Sequence, residues 1–259
     1  MGLVSGVRRV LLAVAASVVA TYASTVAADL VDTVPRVKPS VVAIGTYQRG
    51  RNPAFRFLGT GFAVGNGRLI ATNSHVVPAT LATEKMETLA IAVPGEKESA
   101  VHMATALARD KDHDLAVLRL TNASLPALTL DAGDAVREGQ NVAFTGFPIG
   151  NALGLSPVTH RGIIAAITPI GIPQARGREL SPALIRRLAR EPFLIYQLDA
   201  TAYPGNSGSP VFDPDTGNVL GVINMVFVKS TKENILSDPS GISYAIPAAY
   251  LRALIEKLE

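Results

Sequence analysis

The feature that most constrains the fold is a succession of short apolar runs separated by turn residues. Six runs precede a polar stretch at 121–126, and six follow it. They span 41–46, 61–64, 68–73, 89–93, 101–107, 115–120, 141–146, 158–167, 193–198, 210–212, 219–227 and 242–246. Gly65-Asn66-Gly67 and the segment 213–218 are typical of hairpin turns. Many short strands predict a sandwich or barrel, not a parallel βαβ fold. The polar break predicts two β-domains.

Helical patterns are few. Residues 247–259 carry apolar side chains at helical spacing and predict a C-terminal helix. Segment 29–39 is polar, contains two prolines and predicts a lead-in, whereas 78–87 is compatible with a helix. The insertion 171–192 holds a short helical pattern at Ser181-Pro182, where proline suits the first helical position. It also holds five arginines, which indicate contact with an acidic partner or a membrane surface; a solvated helix face is the alternative.

The first 28 residues are typical of a secretory signal peptide. Arg8 and Arg9 form a basic region, an apolar run spans 10–20, and Val26-Ala27-Ala28 suits cleavage before Asp29. The alternative is an uncleaved anchor, which would associate the protein with a membrane. The predicted organisation is therefore signal peptide or anchor at 1–28, lead-in and first barrel at 29–122, and second barrel with C-terminal helix at 123–259. We expect a protein exported to the periplasm or secreted, rather than membrane-anchored.

Composition excludes several classes of protein. With 48% hydrophobic residues the chain can bury a sizeable core, and with no cysteine it can form neither a disulfide nor a thiolate metal site. Cleavage after residue 28 removes two arginines and no acid, so 22 basic and 21 acidic residues leave a net charge near +1. Such a balance does not predict a nucleic-acid-binding protein. No motif predicts a metal or a cofactor.

The stretch 201–210, TAYPGNSGSP, is the strongest chemical signal. Glycines on both sides of Ser207 permit a tight turn, allow a substrate carbonyl to approach the backbone, and let N–H groups converge as in an oxyanion hole. An ordinary turn between two strands is the alternative, because glycine, asparagine and serine dominate turns. A histidine and a carboxylate upstream favour catalysis.

Serine needs a base to become a nucleophile, and histidine is the usual one. The four histidines are His75, His102, His113 and His160. His75 ends a strand-like run, His102 and His160 lie within such runs, and His113 lies in an acidic cluster. Asp114 opens an apolar run, where burying a carboxylate is costly unless it is hydrogen-bonded; a histidine ring would supply that bond. Asp112 is the competing carboxylate, and a solvated turn is the alternative.

Taken in order, three motifs resemble the chymotrypsin-fold serine proteases. They are GTGFAVGNGRLIATNSHVV, DHDLAVLRL and TAYPGNSGSPVF, and within that fold they are most similar to the HtrA/Deg group. The resemblance runs from about Ser40 to the C-terminus. It implies two six-stranded antiparallel barrels with the active site between them. It also implies a catalytic triad of His75, Asp114 and Ser207, with an oxyanion hole at Gly205, Asn206 and Ser207 in which the N–H groups of Gly205 and Ser207 donate.

Some features depart from that family. The chain ends at Glu259, about one helix after the second barrel, so we expect no PDZ domain. Ser209 stands where the family usually has glycine, and Asn206 replaces the aspartate that pairs with a new N-terminus in the digestive enzymes. HtrA-type enzymes are often trimers, so an oligomer is compatible with the resemblance. The aromatic anchors available in 29–57 are Tyr47, Phe55 and Phe57.

The sequence thus predicts an exported serine endopeptidase that acts on polypeptides through an acyl-enzyme. The alternatives are a catalytically silent member that binds peptides or a partner protein, an ester hydrolase, and a purely structural β-domain. The resemblance also implies a substrate pocket lined by Thr201, Ala202, Tyr203, Ile223, Asn224 and Met225. Because that pocket lacks a carboxylate, we expect cleavage after small or medium apolar residues. Asp199 would reverse this expectation if its side chain entered the pocket.

Overall fold

The computed structural model describes residues 29–95, 99–133, 136–150, 154–170, 193–224 and 241–258. Two α-helices and twelve β-strands lie in these ranges. In chain order they are α1 Leu30–Val37, β1 Val41–Tyr47, β2 Phe55–Val64, β3 Leu69–Asn73, β4 Thr88–Val93, β5 Ala100–Asp110, β6 Leu115–Leu120, β7 Asn141–Gly146, β8 Val158–Pro169, β9 Leu194–Asp199, β10 Pro210–Phe212, β11 Val219–Ile223, β12 Ile242–Pro247 and α2 Ala248–Glu256.

The strands form two closed barrels. The first has the order β1-β2-β3-β6-β5-β4, and the second has the order β10-β11-β12-β9-β8-β7. Neighbouring strands in both barrels are antiparallel. The predicted fold of two six-stranded antiparallel barrels is therefore confirmed, and each predicted apolar run corresponds to one strand. The run 219–227 continues beyond Asn224, outside the described residues.

Strand β2 is longer than the sequence predicted, since it begins at Phe55 and not at residue 61. Its first half is only partly buried and includes the exposed Arg56, so it lacks a continuous apolar pattern. Pairing with β1, which joins Tyr47 to Phe55, keeps this half in the barrel. A backbone ladder can extend a strand beyond its apolar run because its hydrogen bonds do not depend on side chains.

The helical expectations need two corrections. The segment predicted as a lead-in contains α1, whose Thr33 and Val37 are buried and whose Thr33 hydroxyl donates to the Asp215 carbonyl of the β10–β11 turn. Tertiary contact thus stabilises a helix that the sequence did not predict, because the segment is short and contains a proline. In the segment 78–87 the structure has only a single 3-10 turn, Thr83–Lys85. The Glu87 carboxylate there accepts the Ala82 N–H, which holds this segment as a loop. The helix predicted at 181–190 lies outside the described residues.

Each barrel encloses its own largely aliphatic core, and two further apolar clusters join the barrels. One cluster packs Phe62 and Leu115 of the first barrel against Val222 of the second and Leu251 of α2. This buried contact fixes the loops of one barrel relative to those of the other. No helix within the described ranges is long and apolar enough to cross a membrane.

Candidate active site

A histidine–carboxylate pair lies at one end of the first barrel. The Nδ1 atom of His75 is 2.6 Å from Oδ2 of Asp114, and the backbone N–H of His75 donates to Oδ1 at 2.9 Å. An ionised carboxylate only accepts, so Nδ1 carries the hydrogen in this pair. That tautomer leaves Nε2 with a lone pair, which is the requirement for a general base.

Strand pairing brings these two residues together across 39 positions of sequence. Strands β3 and β6 are neighbours, and their register joins Asn73 to Leu115. His75 follows β3 in the short 3-10 turn Ser74–Val76, while Asp114 directly precedes β6. Both side chains therefore emerge at the same end of the same strand pair.

Asp114 adopts a backbone conformation that is uncommon for a residue with a side chain. Its φ is +55°, in the left-handed region, which costs about 1–2 kcal/mol for most L-residues and less for aspartate, whose side chain can hydrogen-bond locally. The Asp114 carbonyl accepts the N–H of Ser74 at 3.0 Å and the side-chain amide of Asn73 at 3.2 Å. Such strain persists where the surroundings over-determine it, and it is frequent at functional sites.

The side chain of Asn224 makes a contact that the sequence did not predict. The sequence assigned Asn224 to the wall of a substrate pocket. Its side chain is fully buried, and Nδ2 donates to Oδ2 of Asp114 at 2.7 Å. A residue at the end of β11 in the second barrel therefore stabilises the carboxylate of the first. The sequence did contain a signal for this role, because Asn224 is a polar residue directly after a buried apolar run. Asp114 was recognised by a similar signal, since it directly precedes such a run.

The loop between β9 and β10 carries Ser207 close to the first barrel. The Ser207 carbonyl accepts the N–H of Thr60 at 2.9 Å, and the Thr60 hydroxyl donates to the Gly205 carbonyl at 2.7 Å. Gly208 has a φ of +89°, and a Cβ there would clash with the Thr60 carbonyl oxygen. Glycine is required at this position for both reasons. Sequence reasoning did not identify Thr60 as the anchor of this loop.

His75 and Ser207 approach each other across Gly59. A Cβ on Gly59 would lie 2.8 Å from Cγ2 of Val76 and 3.1 Å from the Ser207 carbonyl oxygen. The turn that holds the histidine and the loop that holds the serine thus pack against one point of β2. Within the described residues no hydrogen bond joins the His75 ring to the Ser207 hydroxyl. In sites without substrate, catalytic hydrogen bonds are often long.

A contact with Ile149 fixes the orientation of the peptide bond between Pro204 and Gly205. Ile149 donates its N–H to the Pro204 carbonyl at 2.6 Å. Because the C=O and N–H of a trans peptide point in opposite directions, this bond turns the Gly205 N–H away from Ile149. In the described part of the chain, neither the Gly205 N–H nor the Ser207 N–H has a hydrogen-bond acceptor. Ile149 itself has a φ of +57°, which is strained for a β-branched residue.

The geometry does not favour Asn206 as a third donor. Its N–H donates to the Tyr203 carbonyl at 2.9 Å, so this N–H is already hydrogen-bonded within the loop. Its side chain is fully buried, and neither amide atom has a hydrogen-bond partner among the described residues. A neutral amide tolerates such a position far better than the aspartate of the digestive enzymes would, because burying an unpaired charge is much more costly.

The other three histidines, and the competing Asp112, lie outside the His75–Asp114 pair. The competing Asp112 is exposed, and its N–H donates to Asp110. His113 pairs with Asp110 at 2.6 Å, and His102 lies on β5. His160 stacks on Phe144 in the second barrel, and burial lowers the pKa of its ring. No cluster of histidine and acidic residues that could hold a metal ion occurs among the residues described.

The predicted pocket residues occupy varied positions. Ile223 is fully enclosed and Ala202 is nearly so, both within the core of the second barrel. Thr201 and Tyr203 are half-buried, and Met225 lies outside the described residues. Asp199 is exposed between Leu198 and Ala200, both of which face the core. Since successive strand residues face opposite sides, its carboxylate points away from the barrel interior.

Comparison with known families decides the class of this fold. A family model described as trypsin-like peptidase domain matches residues 59–222, which include all three triad candidates. The chain belongs to the trypsin-like peptidase family. The match runs from β2 to β11 and so spans both barrels of this trypsin-like peptidase.

Its curated relatives are serine proteases of the HtrA type. A probable periplasmic serine endoprotease DegP-like from Halomonas elongata is 30% identical over 200 residues, which are 77% of this chain and 34% of that protein. Serine protease HTRA3 from Homo sapiens is 30% identical over 225 residues, or 85% of this chain and 42% of that one. This trypsin-like peptidase thus spans less than half the length of these relatives.

Solved structures give the same family relationship. The serine endoprotease from Yersinia pestis has a TM-score of 0.60 and 25% identity, covering 88% of this chain and 66% of that one. The HtrA-type protease AlgW with a tripeptide has a TM-score of 0.61 and 26% identity, covering 88% and 63%. The resemblance of this trypsin-like peptidase to the HtrA/Deg group is therefore confirmed.

Proposed function

We propose that the protein is an exported serine endopeptidase that hydrolyses peptide bonds through an acyl-enzyme. In this mechanism Ser207 attacks the substrate carbonyl, and His75 takes its proton and returns it to the leaving amine. Asp114 orients His75 and stabilises the imidazolium ion. The N–H groups of Gly205 and Ser207 bind the oxyanion. The observation that carries the proposal is the 2.6 Å contact from His75 Nδ1 to Asp114 at the end of β3, beside the Ser207 loop.

The proposed export of the protein is supported by two kinds of observation. The sequence of residues 1–28 has the arrangement of a secretory signal. Two similar proteins, from Halomonas elongata and a Marinomonas species, are named probable periplasmic serine endoproteases. We accordingly propose polypeptides of the periplasm or the extracellular space as substrates.

Cleavage after small or medium apolar residues is the proposed specificity. Asp199 is close to Thr201 in sequence and is a carboxylate that could attract a basic side chain, but its exposed position on β9 argues against entry into the pocket. An unpaired Arg or Lys would lose hydration there without gaining a counter-charge. Discrimination among Val, Ala, Leu and Ile should be weak, since one methylene is worth only about 1–3 kcal/mol. A peptide library tests this, and a strong preference for Arg or Lys would contradict it.

The decisive test of the activity is labelling by a fluorophosphonate probe, compared between the wild type and Ser207→Ala. We expect rapid labelling of the wild type and none of the variant, with turnover of a peptide substrate falling by several orders of magnitude. Thermal unfolding of both proteins is the control, because removing one hydroxyl should leave the fold intact. If the variant retains near-wild-type turnover, the triad assignment is wrong. A folded wild type that is neither labelled nor active would favour a catalytically silent, peptide-binding protein.

A further inference from the structure

We propose that Asp110 and His113 are positioning residues that hold Asp114 in its left-handed conformation and attach it to the C-terminal helix. The proposal rests on the proposed function, since it concerns the geometry of the same triad. It assigns a role to a second histidine–aspartate pair, one that the hydrolytic mechanism itself does not use.

Asp110 organises the turn that ends in Asp114. Its Oδ1 accepts the backbone N–H groups of Asp112 at 2.9 Å and His113 at 3.1 Å. Its Oδ2 lies 2.6 Å from Nδ1 of His113. Aspartate side chains commonly close turns by accepting N–H groups two residues ahead. Here one carboxylate fixes the backbone and the ring of the residue that directly precedes Asp114.

The turn is fixed at both ends, and the strained residue lies between the two attachments. On the C-terminal side, β6 begins at Leu115 and pairs with β3, and the Asp114 carbonyl accepts the Ser74 N–H. On the N-terminal side, the attachment is the Asp110–His113 pair. Asp114 has a φ of +55°, a conformation that aspartate can adopt but that a free turn would exchange with others. Releasing the N-terminal attachment should therefore let Asp114 leave the orientation in which it meets His75.

Aromatic contacts join this turn to the other half of the molecule. The His113 ring stacks on Tyr250 of α2, with centroids 4.1 Å apart and 20° between the planes. Phe193, next to β9, meets the His113 ring edge-on at 4.7 Å and meets Tyr250 edge-on at 5.5 Å. Stacked and edge-to-face pairs are favoured arrangements of rings. The C-terminal helix and the second barrel thus hold the ring that braces the turn.

The ionisation of Asp110 agrees with this role. Burial raises the pKa of its carboxyl, but hydrogen bonds from the His113 ring and backbone, together with smaller electrostatic interactions with His113 and then Lys257, outweigh that effect. The pKa of Asp110 is therefore held below its usual range. The carboxylate stays ionised and able to accept all three bonds.

The experiment compares Asp110→Asn with Asp213→Asn as a matched control. Asp213 closes the β10–β11 turn in the same way, because its side chain accepts the N–H groups of Asp215 and Thr216. It lies away from the turn between Asp110 and Asp114. We expect Asp110→Asn to lower kcat by about ten- to hundredfold, the scale of a small misplacement of reacting groups. KM should stay within about twofold, because Asp110 does not touch substrate. Asp213→Asn should leave kcat unchanged and lower only the Tm.

A second pair of variants covers the case in which Asp110→Asn fails to fold. Tyr250→Phe retains the ring that stacks on His113, whereas Tyr250→Leu removes it. We expect the phenylalanine variant to keep the kcat of the wild type and the leucine variant to lose activity in the same way as Asp110→Asn. Equal kcat in the two Tyr250 variants would contradict the role assigned to the stack.

Proton NMR of the histidine rings provides a measurement independent of turnover. The two short Nδ1–H to carboxylate contacts should give two downfield resonances, which Asp114→Asn and Asp110→Asn assign to His75 and His113. The proposal requires that Asp110→Asn also shift or broaden the His75 resonance, and that Asp213→Asn not do so. An unchanged His75 resonance together with wild-type kcat would overturn it. If the wild type is not labelled by fluorophosphonate, the proposed function fails, while the His75 resonance still decides this proposal.

Discussion

Replacing Asn224 by alanine separates its two interpretations. The change removes the 2.7 Å hydrogen bond from Nδ2 to Oδ2 of Asp114. A hydrogen bond to a charged group contributes about 1.5–3 kcal/mol. Because the Asp114 side chain is still 16% exposed, water can replace part of this bond, which favours the lower end of the range. About 1.5 kcal/mol lost from the transition state corresponds to roughly a tenfold lower kcat.

The assay is steady-state cleavage of two peptides that differ only in the residue before the cut, one with alanine and one with leucine. If Asn224 supports Asp114, kcat falls equally for both peptides and the ratio of their kcat/KM values does not change. If it lines the substrate pocket, that ratio changes. Asn224→Leu is the matched variant, since it keeps most of the volume and removes the donor. A loss seen with Ala but absent with Leu would assign the effect to a cavity and refute the hydrogen-bond argument.

Two further predictions concern the carboxylates. Asp114→Asn should abolish most turnover, because an amide favours the wrong histidine tautomer, whereas Asp112→Asn should retain it. The measurement is the steady-state kinetics of the two purified variants. If Asp112→Asn loses turnover and Asp114→Asn retains it, the wrong aspartate was chosen. Glu87 has its pKa lowered to about 2, first by the hydrogen bond from the Thr46 hydroxyl and then by those from Ala82 and Arg51. A lowered folded-state pKa stabilises the fold above the ordinary value of 4.5, and this stabilisation is lost as the pH falls toward 2. Tm measured across this range should therefore fall less steeply in Glu87→Gln than in the wild type, and parallel curves would contradict the prediction.

Much of the fold could be predicted from the sequence, because apolar runs and turn residues are local signals. Strands β6 and β7 occur where their runs predicted them, and the Gly65-Asn66-Gly67 segment joins two paired strands. The helix α1 was missed because its burial against the β10–β11 turn involves residues far away in sequence. The local sequence does not predict such a contact.

The features of the candidate site also fall into two groups, those predicted from the sequence and those seen only in the structure. The sequence by itself singled out Ser207 through its glycines, His75 at the end of a strand, and Asp114 before an apolar run, because each signal lies within a few residues. Only the tertiary structure shows the hydrogen bond from Asn224 to Asp114 and the stacking of His113 on Tyr250. These contacts depend on which atoms the two closed barrels and the C-terminal helix bring together across more than a hundred residues of chain. A hydrogen bond requires a specific distance and direction, and barrel closure, not the local pattern of residues, sets both.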